Sequence, residues 1–164
     1  SPNTAGLRDL QAAAALDELL AALAAERERL AAEHGRVVPL AVKLAPDLTA
    51  EDLAAAAATV ARHPVAAVIA TNTTVEHSAV AGLPHGQERG GLSGAPLREQ
   101  STRRVEALRQ LLPASVAIIG VGGIFSAADA REKIRAGADL VQIYTGLVYR
   151  GPGLVRELAA GLAD

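Results

Sequence analysis

The stretch IIGVGGIFSAAD, residues 118–129, decides how this sequence folds. An apolar run closes on Gly120, Gly122 and Gly123, and Ser126 follows as a helix cap. A strand that turns through glycines into a helix offers backbone N–H groups at the turn, an arrangement suited to phosphate. Two sites are built this way. The dinucleotide fingerprint G-x-G-x-x-G asks for glycine where this chain has Phe125, and for an acid at the end of the next strand. The nearby acid, Asp139, stands at that strand's start, and the strand ends in Gln142-Ile143-Tyr144. The phosphate cup of a (β/α)8 barrel instead uses the loops after two consecutive strands and a short extra helix. Here GVGG closes one strand, and QIYTGLVYRGPG closes the next with a helical turn over 146–150 before the last helix. The barrel cup fits both spacing and order. Glycines also serve ordinary tight turns, so the rest of the chain has to agree.

Working outward, the periodicity predicts strands and helices in strict alternation. A helix is expected from Leu10 to Glu33, stopped by Gly35, and then a buried strand over 38–45. Thr49 caps a helix with acids in its first turn that ends before Pro64. A strand over 65–71 leads into a long glycine-rich stretch from Asn72 to Gly94. Pro96 opens a helix to about Leu112, followed by a strand over 115–121, a helix from Ser126 to Ala136, a strand over 138–144 and a final helix. The strands are continuous apolar runs, as in a parallel sheet covered on both faces. Four such units make half of a (β/α)8 barrel or most of a small doubly wound sheet.

Composition limits what such a domain does. The 164 residues suffice for one buried core, and half of them are hydrophobic, yet aromatics amount to 2%. With so few rings and a formal charge of −2, stacking on bases and an electrostatic footprint for nucleic acid are not expected. The chain has no cysteine, hence no disulfide, thiol nucleophile or thiolate metal site. Its four histidines, His34, His63, His77 and His85, show no metal-ligand spacing, so no metal is expected. No apolar run reaches the roughly 18 residues of a membrane span, and the charges of 26–33 read as a solvated helix face. These features fit a cytoplasmic location. The opening SPNTAGLRDL has no initiator Met and reads as an internal turn, so the sequence is expected to be a piece of a longer protein.

Barrel chemistry sits at the carboxyl ends of strands. Those ends carry SPNTAGLR, VKLAPDL, TNTTVE, GGLSGAPL, GVGGI and YTGLVYRGPG. Together and in this order they closely resemble dihydroorotate dehydrogenase, the flavin enzyme of pyrimidine synthesis, in its quinone-linked class. The resemblance covers residues 1–164 and implies one flavin-binding domain: the carboxyl-terminal half, (β/α)4, of a (β/α)8 TIM-type barrel. It implies FMN as cofactor, oxidation of dihydroorotate to orotate, and quinone as electron acceptor of the complete enzyme, held at the cytoplasmic face of the membrane.

The resemblance also gives individual residues roles. Ser1 occupies the catalytic base position, where the soluble class carries cysteine. Asn3, Asn72 and Thr73 meet the pyrimidine, whose edge asks for the mixed donors and acceptors of an amide. Lys43 meets the flavin ring edge where negative charge grows on reduction. On sequence alone, a lysine ending an apolar strand is costly to bury without an anion, unless it snorkels to solvent. Thr71, Gly94, Gly123, Tyr144 and Thr145 complete the cofactor contacts, the last two through backbone N–H groups. Asp47, beside Pro46, reads as a turn residue. Two other readings remain open: a related flavin-barrel pyrimidine oxidoreductase, and a non-catalytic half barrel that holds phosphate or flavin. The first four barrel strands and the quinone-contacting helices lie outside this sequence, so the isolated chain is expected to be inactive. A half barrel also exposes two sheet edges, and self-association is expected.

Overall fold

The computed structural model describes residues 3, 4 and 6–163. Four strands, β1 (Ala41–Leu44), β2 (Ala67–Ala70), β3 (Ala117–Val121) and β4 (Leu140–Gln142), pair in parallel in the order β1-β2-β3-β4. A doubly wound sheet reverses direction at a switch point; this sheet adds each strand beside its predecessor, the winding of a barrel. The crossovers are α2 (Ala50–Arg62), α3 (Arg98–Leu111) and α4 (Ala127–Arg135), while α1 (Ala13–His34) precedes β1. The short α5 (Thr145–Arg150) follows β4 and leads into α6 (Gly153–Leu162).

Register brings the carboxyl ends of the strands level: Leu44 lies opposite Ala70, Ala70 opposite Gly120, and Val121 opposite Gln142. Behind the sheet, Leu16 and Leu20 of α1, Leu53 and Val60 of α2, and Val105 and Leu108 of α3 close on Val68 and Ile118. A second cluster joins Ile124 and Ala130 to Leu154 and Leu158, tying α4 to α6. The cap at Thr49 forms as expected, its hydroxyl accepting from the Asp52 N–H at 3.1 Å. Gly35 ends α1 at φ 65, a conformation that costs other residues about 1–2 kcal/mol.

Three expectations need correcting. The first helix is not continuous from Leu10. A 3-10 turn over Leu7–Gln11 precedes it, and Ala12 is extended. The reason is tertiary: Gln11 Oε1 accepts from the Ala45 N–H at 2.7 Å, fastening the turn to the end of β1. Second, burial on both faces holds for the inner strands β2 and β3, but β1 and β4 are largely exposed. They are the edges of the sheet. Third, the stretch from Asn72 to Gly94 is a stemmed loop. Thr74 and Leu92 pair as an antiparallel bridge, N–H to carbonyl at 3.1 and 2.8 Å in the two directions. The bridge therefore holds the exit of β2 beside the entry to α3.

Candidate active site

A cavity of about 380 Å³ opens at the carboxyl ends of the strands. Lys43 of β1, then Thr71, Asn72 and Thr73 after β2, form one side. Gly122 and Gly123 after β3, with Gln142, Tyr144 and Thr145 at and beyond β4, form the other, and Ser93 and Gly94 bridge them. All the residues expected to touch flavin, and Asn72 and Thr73 of those expected to touch substrate, thus line one space. Asn3 is exposed outside the lining, and its Oδ1 lies near Gly90 on the stemmed loop, 3.3 Å from where a Cβ would stand there. Ser1 lies outside the described residues.

The glycine side is tightly constructed. Gly123 is buried at φ 71, and a Cβ there would overlap the backbone of Arg98 at the start of α3. A Cβ on Gly146 would overlap the carbonyl of Ile124, so α5 rests directly on the turn that follows GVGG. Thr145 donates from Oγ1 to Ser93 Oγ at 2.8 Å, joining the end of β4 to the stemmed loop. Among the described residues the Gly123 N–H donates to no other backbone group, which leaves it available to an anionic oxygen of a ligand. At the other end of the turn, the Asp129 carboxylate accepts from the Phe125 N–H at 3.0 Å, from Ser126 Oγ at 2.9 Å and from Arg98 at 2.5 Å. Burial alone would raise the Asp129 pKa; those donors outweigh it and hold the carboxyl below its ordinary value.

The lysine side is looser. Lys43 is exposed on the edge strand, the solvent-reaching one of the two alternatives left open by the sequence: among the described residues β1 has no strand on its outer side. Desolvation by the surrounding strand ends still lowers its pKa. Asn72 Oδ1 accepts from the Thr73 N–H at 2.8 Å, which leaves the amide Nδ2 as the group to offer a ligand. Thr71 is buried and reached through a cis Ala70–Thr71 peptide, and its hydroxyl donates to the Asn72 carbonyl at 2.9 Å.

Asp47 is more than the turn residue expected from Pro46-Asp47. Its carboxylate accepts from Thr74 Oγ1, from the Val75 N–H at 3.1 Å, from Gln100 at 3.3 Å and from Arg8 at 2.8 Å. Arg8 also donates to the Thr73 carbonyl at 3.3 Å. Burial pushes the Asp47 pKa up, but Thr74, Val75 and Arg8 together bring it below its ordinary value. One carboxylate therefore ties the segment after SPNT, the TNTT loop and α3 together. Ser93 and Gln142 also line the cavity without having been singled out in the sequence, although each lies within a quoted motif.

This site sits in a recognisable lineage. The model of the dihydroorotate dehydrogenase family matches residues 1–164. The chain is 60% identical over 164 residues to "Dihydroorotate dehydrogenase (quinone)" of Thiobacillus denitrificans, covering 100% of this chain and 49% of that protein. It is 59% identical over 162 residues to the protein of the same name from Cupriavidus pinatubonensis, covering 99% of this chain and 47% of the relative. It thus spans about half the length of these curated relatives. Among solved structures, DHODH from Eimeria tenella in complex with ferulenol superposes with a TM-score of 0.92 at 38% identity, over 99% of this chain and 46% of that one. The ligand-free form of that enzyme gives a TM-score of 0.91. With the whole sequence matched and the same backbone path, the chain belongs to the dihydroorotate dehydrogenase family.

Proposed function

We propose that residues 1–164 form the flavin-binding, carboxyl-terminal half barrel of a quinone-linked dihydroorotate dehydrogenase. Its cofactor is FMN, and its reaction is the oxidation of dihydroorotate to orotate in pyrimidine synthesis. The observation that carries this reading is the gathering of Lys43, Thr71-Asn72-Thr73, Gly94, Gly123 and Tyr144-Thr145 around one cavity. The residues fit the cofactor: a glycine cradle whose Gly123 N–H has no backbone acceptor among the described residues suits its phosphate, and a cation at the opposite side suits its ring.

Bound there, FMN would supply two-electron acceptance for the hydride that leaves C6 of dihydroorotate. This chain's residues supply the rest. Gly123 and the backbone at Tyr144 and Thr145 would hold the phosphate, and Gly94, Thr71 and Lys43 would complete the contacts to the rest of the cofactor. Lys43 places positive charge where reduction makes the ring more negative, which favours the reduced state. Asn72 and Thr73 would hold the pyrimidine; Asn3, given the same role by the resemblance, lies outside the cavity lining in this structure. Ser1 takes the proton from C5 as the hydride leaves C6; a serine hydroxyl is a weak base, so that proton must be passed onward.

Re-oxidation of the reduced cofactor by quinone, which leaves as quinol, would belong to the protein at its relatives' length, peripheral on the cytoplasmic face of the membrane. Among the described residues, no helix is long and apolar enough to cross a membrane. The 164-residue chain alone is not expected to turn over, because the cavity is open beyond both edge strands. The test is an absorbance scan of the purified protein, with bands near ~370 and ~450 nm expected from bound flavin. Anaerobic dihydroorotate should bleach the upper band in the complete enzyme. A protein that takes up phosphate but no flavin would favour the non-catalytic half barrel. Bleaching by another reduced pyrimidine instead would favour a related oxidoreductase.

A further inference from the structure

Lys133 is fully buried, and nothing in the reaction described above uses it. Its stem runs beneath β3, where a Cβ on Gly120 would come within 3.1 Å of the Lys133 Cβ. Its ammonium emerges against the first turn of α3. There it donates to the Arg98 carbonyl at 2.7 Å, to Ser101 Oγ at 2.6 Å and to Thr102 Oγ1 at 2.5 Å. All three acceptors are neutral. Ser101 Oγ in turn shares its one proton between the Arg98 carbonyl at 3.0 Å and the Gly122 carbonyl at 3.2 Å, so a hydrogen-bonded path runs from the ammonium to the glycine turn. The backbone of Arg98, a direct acceptor of Lys133, is also what a Cβ on Gly123 would strike.

A buried ammonium without a carboxylate in hydrogen-bond reach is costly to keep. Burial pulls the Lys133 pKa down to about 8. The unfolded chain therefore holds this proton more tightly, and the charge opposes folding below pH 8. The opposition fades as pH rises from 8 toward the ordinary lysine value. Glu132 and Asp129 on its own helix favour the charge, and Arg98 on α3 opposes it. β3 and β4 contribute no titratable side chain. α6, also packed on α4, brings Arg156 and Glu157, the latter paired with Arg150 at 2.9 Å. A charge retained at a cost to stability, two hydrogen bonds behind an anion-ready turn, calls for an anion on the turn's other side.

We propose that Lys133 is the counter-charge and positioning residue for a phosphate dianion held at Gly122 and Gly123, acting through Ser101 and the first turn of α3. This rests on the reading of that turn as the flavin phosphate site. By reciprocity, an anion that binds more tightly when Lys133 is charged must hold the Lys133 proton more tightly as well.

The experiment compares FMN with riboflavin, which lacks the phosphate, by fluorescence titration of the purified full chain at pH 7 and pH 9.5. The preference for FMN over riboflavin should fall about tenfold across that range, the equivalent of about one pK unit of coupling. Lys133→Met should lose the preference at pH 7 with its thermal midpoint unchanged or raised, and Lys133→Arg should keep it at both pH values. Equal weakening of both ligands by Lys133→Met, or an unchanged preference, would overturn the proposal. Should Lys133→Met not fold, the wild-type pH comparison and Ser101→Ala, expected to reduce the preference, decide the matter. A protein that binds neither flavin refutes the flavin reading separately. Inorganic phosphate, followed by the amide resonances of Gly122 and Gly123, then tests Lys133 directly, and phosphate shifts independent of Lys133 would overturn it.

Discussion

The two sides of the cavity are built on different principles. At the tips of β3 and β4 the chain is held from behind: Gly123 against α3, Gly146 against the Ile124 carbonyl, and Lys133 and Asp129 fastening α4 to α3. At the tips of β1 and β2 it is held from the flank, by Asp47 and Arg8, and Lys43 stands exposed on an edge strand. A groove of about 260 Å³ along β1, walled by Leu7, Leu10, Leu16, Leu19 and Val42, reaches Lys43 and Asn72. The difference separates tasks. A rigid cup suits a compact anion, whereas the lysine side is open along its edge strand among the described residues.

The largest effect should come from breaking the rigid side. Gly123→Ala puts a methyl group at φ 71 into the backbone of Arg98. The left-handed conformation alone costs about 1–2 kcal/mol, and an overlap with backbone that cannot yield adds as much again. Urea unfolding should show a loss of at least about 2 kcal/mol, accompanied by loss of FMN binding. A variant as stable as the parent would mean that the turn is free to relax away from α3.

Asp47→Ala tests the flank. It leaves Arg8 and Thr74 without their carboxylate in a partly exposed setting, at a cost of about 1–2 kcal/mol, less than a fully buried pair would lose. If Asp47 serves the substrate loop, affinity for orotate should fall several-fold more than affinity for FMN, and Asp47→Asn should recover part of it. The Asp47 carboxyl is held below its ordinary value in the fold. Its contribution is therefore present above the unfolded pKa of 3.8 and is lost as pH falls through the folded value. Acid unfolding of Asp47→Ala should flatten relative to the parent in that window.

How far the sequence announced this arrangement depends on the range of the forces involved. Strand order and the glycine turns were legible because apolar runs, the Thr49 and Ser126 caps and the glycine spacing are local signals. The convergence of the strand ends followed from barrel topology and the family resemblance. Asp47 was misread because its partners lie 39, 27 and 53 residues away, at Arg8, Thr74 and Gln100. Lys133 was invisible for the same reason: in a sequence, AREKIRAG reads as an ordinary charged helix end. The break at Ala12 likewise needed the bond from Ala45 to Gln11, which no window along the chain contains.

A smaller effect on the fold, though not on the chemistry, is expected at Lys43. It is exposed on β1, so Lys43→Ala should change stability by no more than about 0.5 kcal/mol. If its charge serves the flavin ring, as proposed, FMN and riboflavin affinities should weaken by the same factor, and flavin reduction in the complete enzyme should slow. That is the opposite signature to Lys133, where the two ligands separate. Parallel losses at both lysines would erase the distinction between the two sides.

The smallest change concerns the open edges. β1 and β4 leave backbone donors and acceptors unpaired, and apolar side chains crowd beside them, with Leu140 59% exposed and Val148 72%. Unprotected edges pair with other chains, and a parallel sheet closed on itself is the barrel's own solution. The isolated chain should therefore associate at micromolar concentration, seen as a mass above the monomer by light scattering. Leu140→Lys, on the exposed face of β4, should shift the population toward monomer with little change in unfolding midpoint, since a charged edge residue blocks pairing without entering the core. A sharp monomer peak for the parent would mean that the edges are protected by twist alone, and the contrast between a clamped side and an open one would then lie in the ligand contacts, not in the sheet.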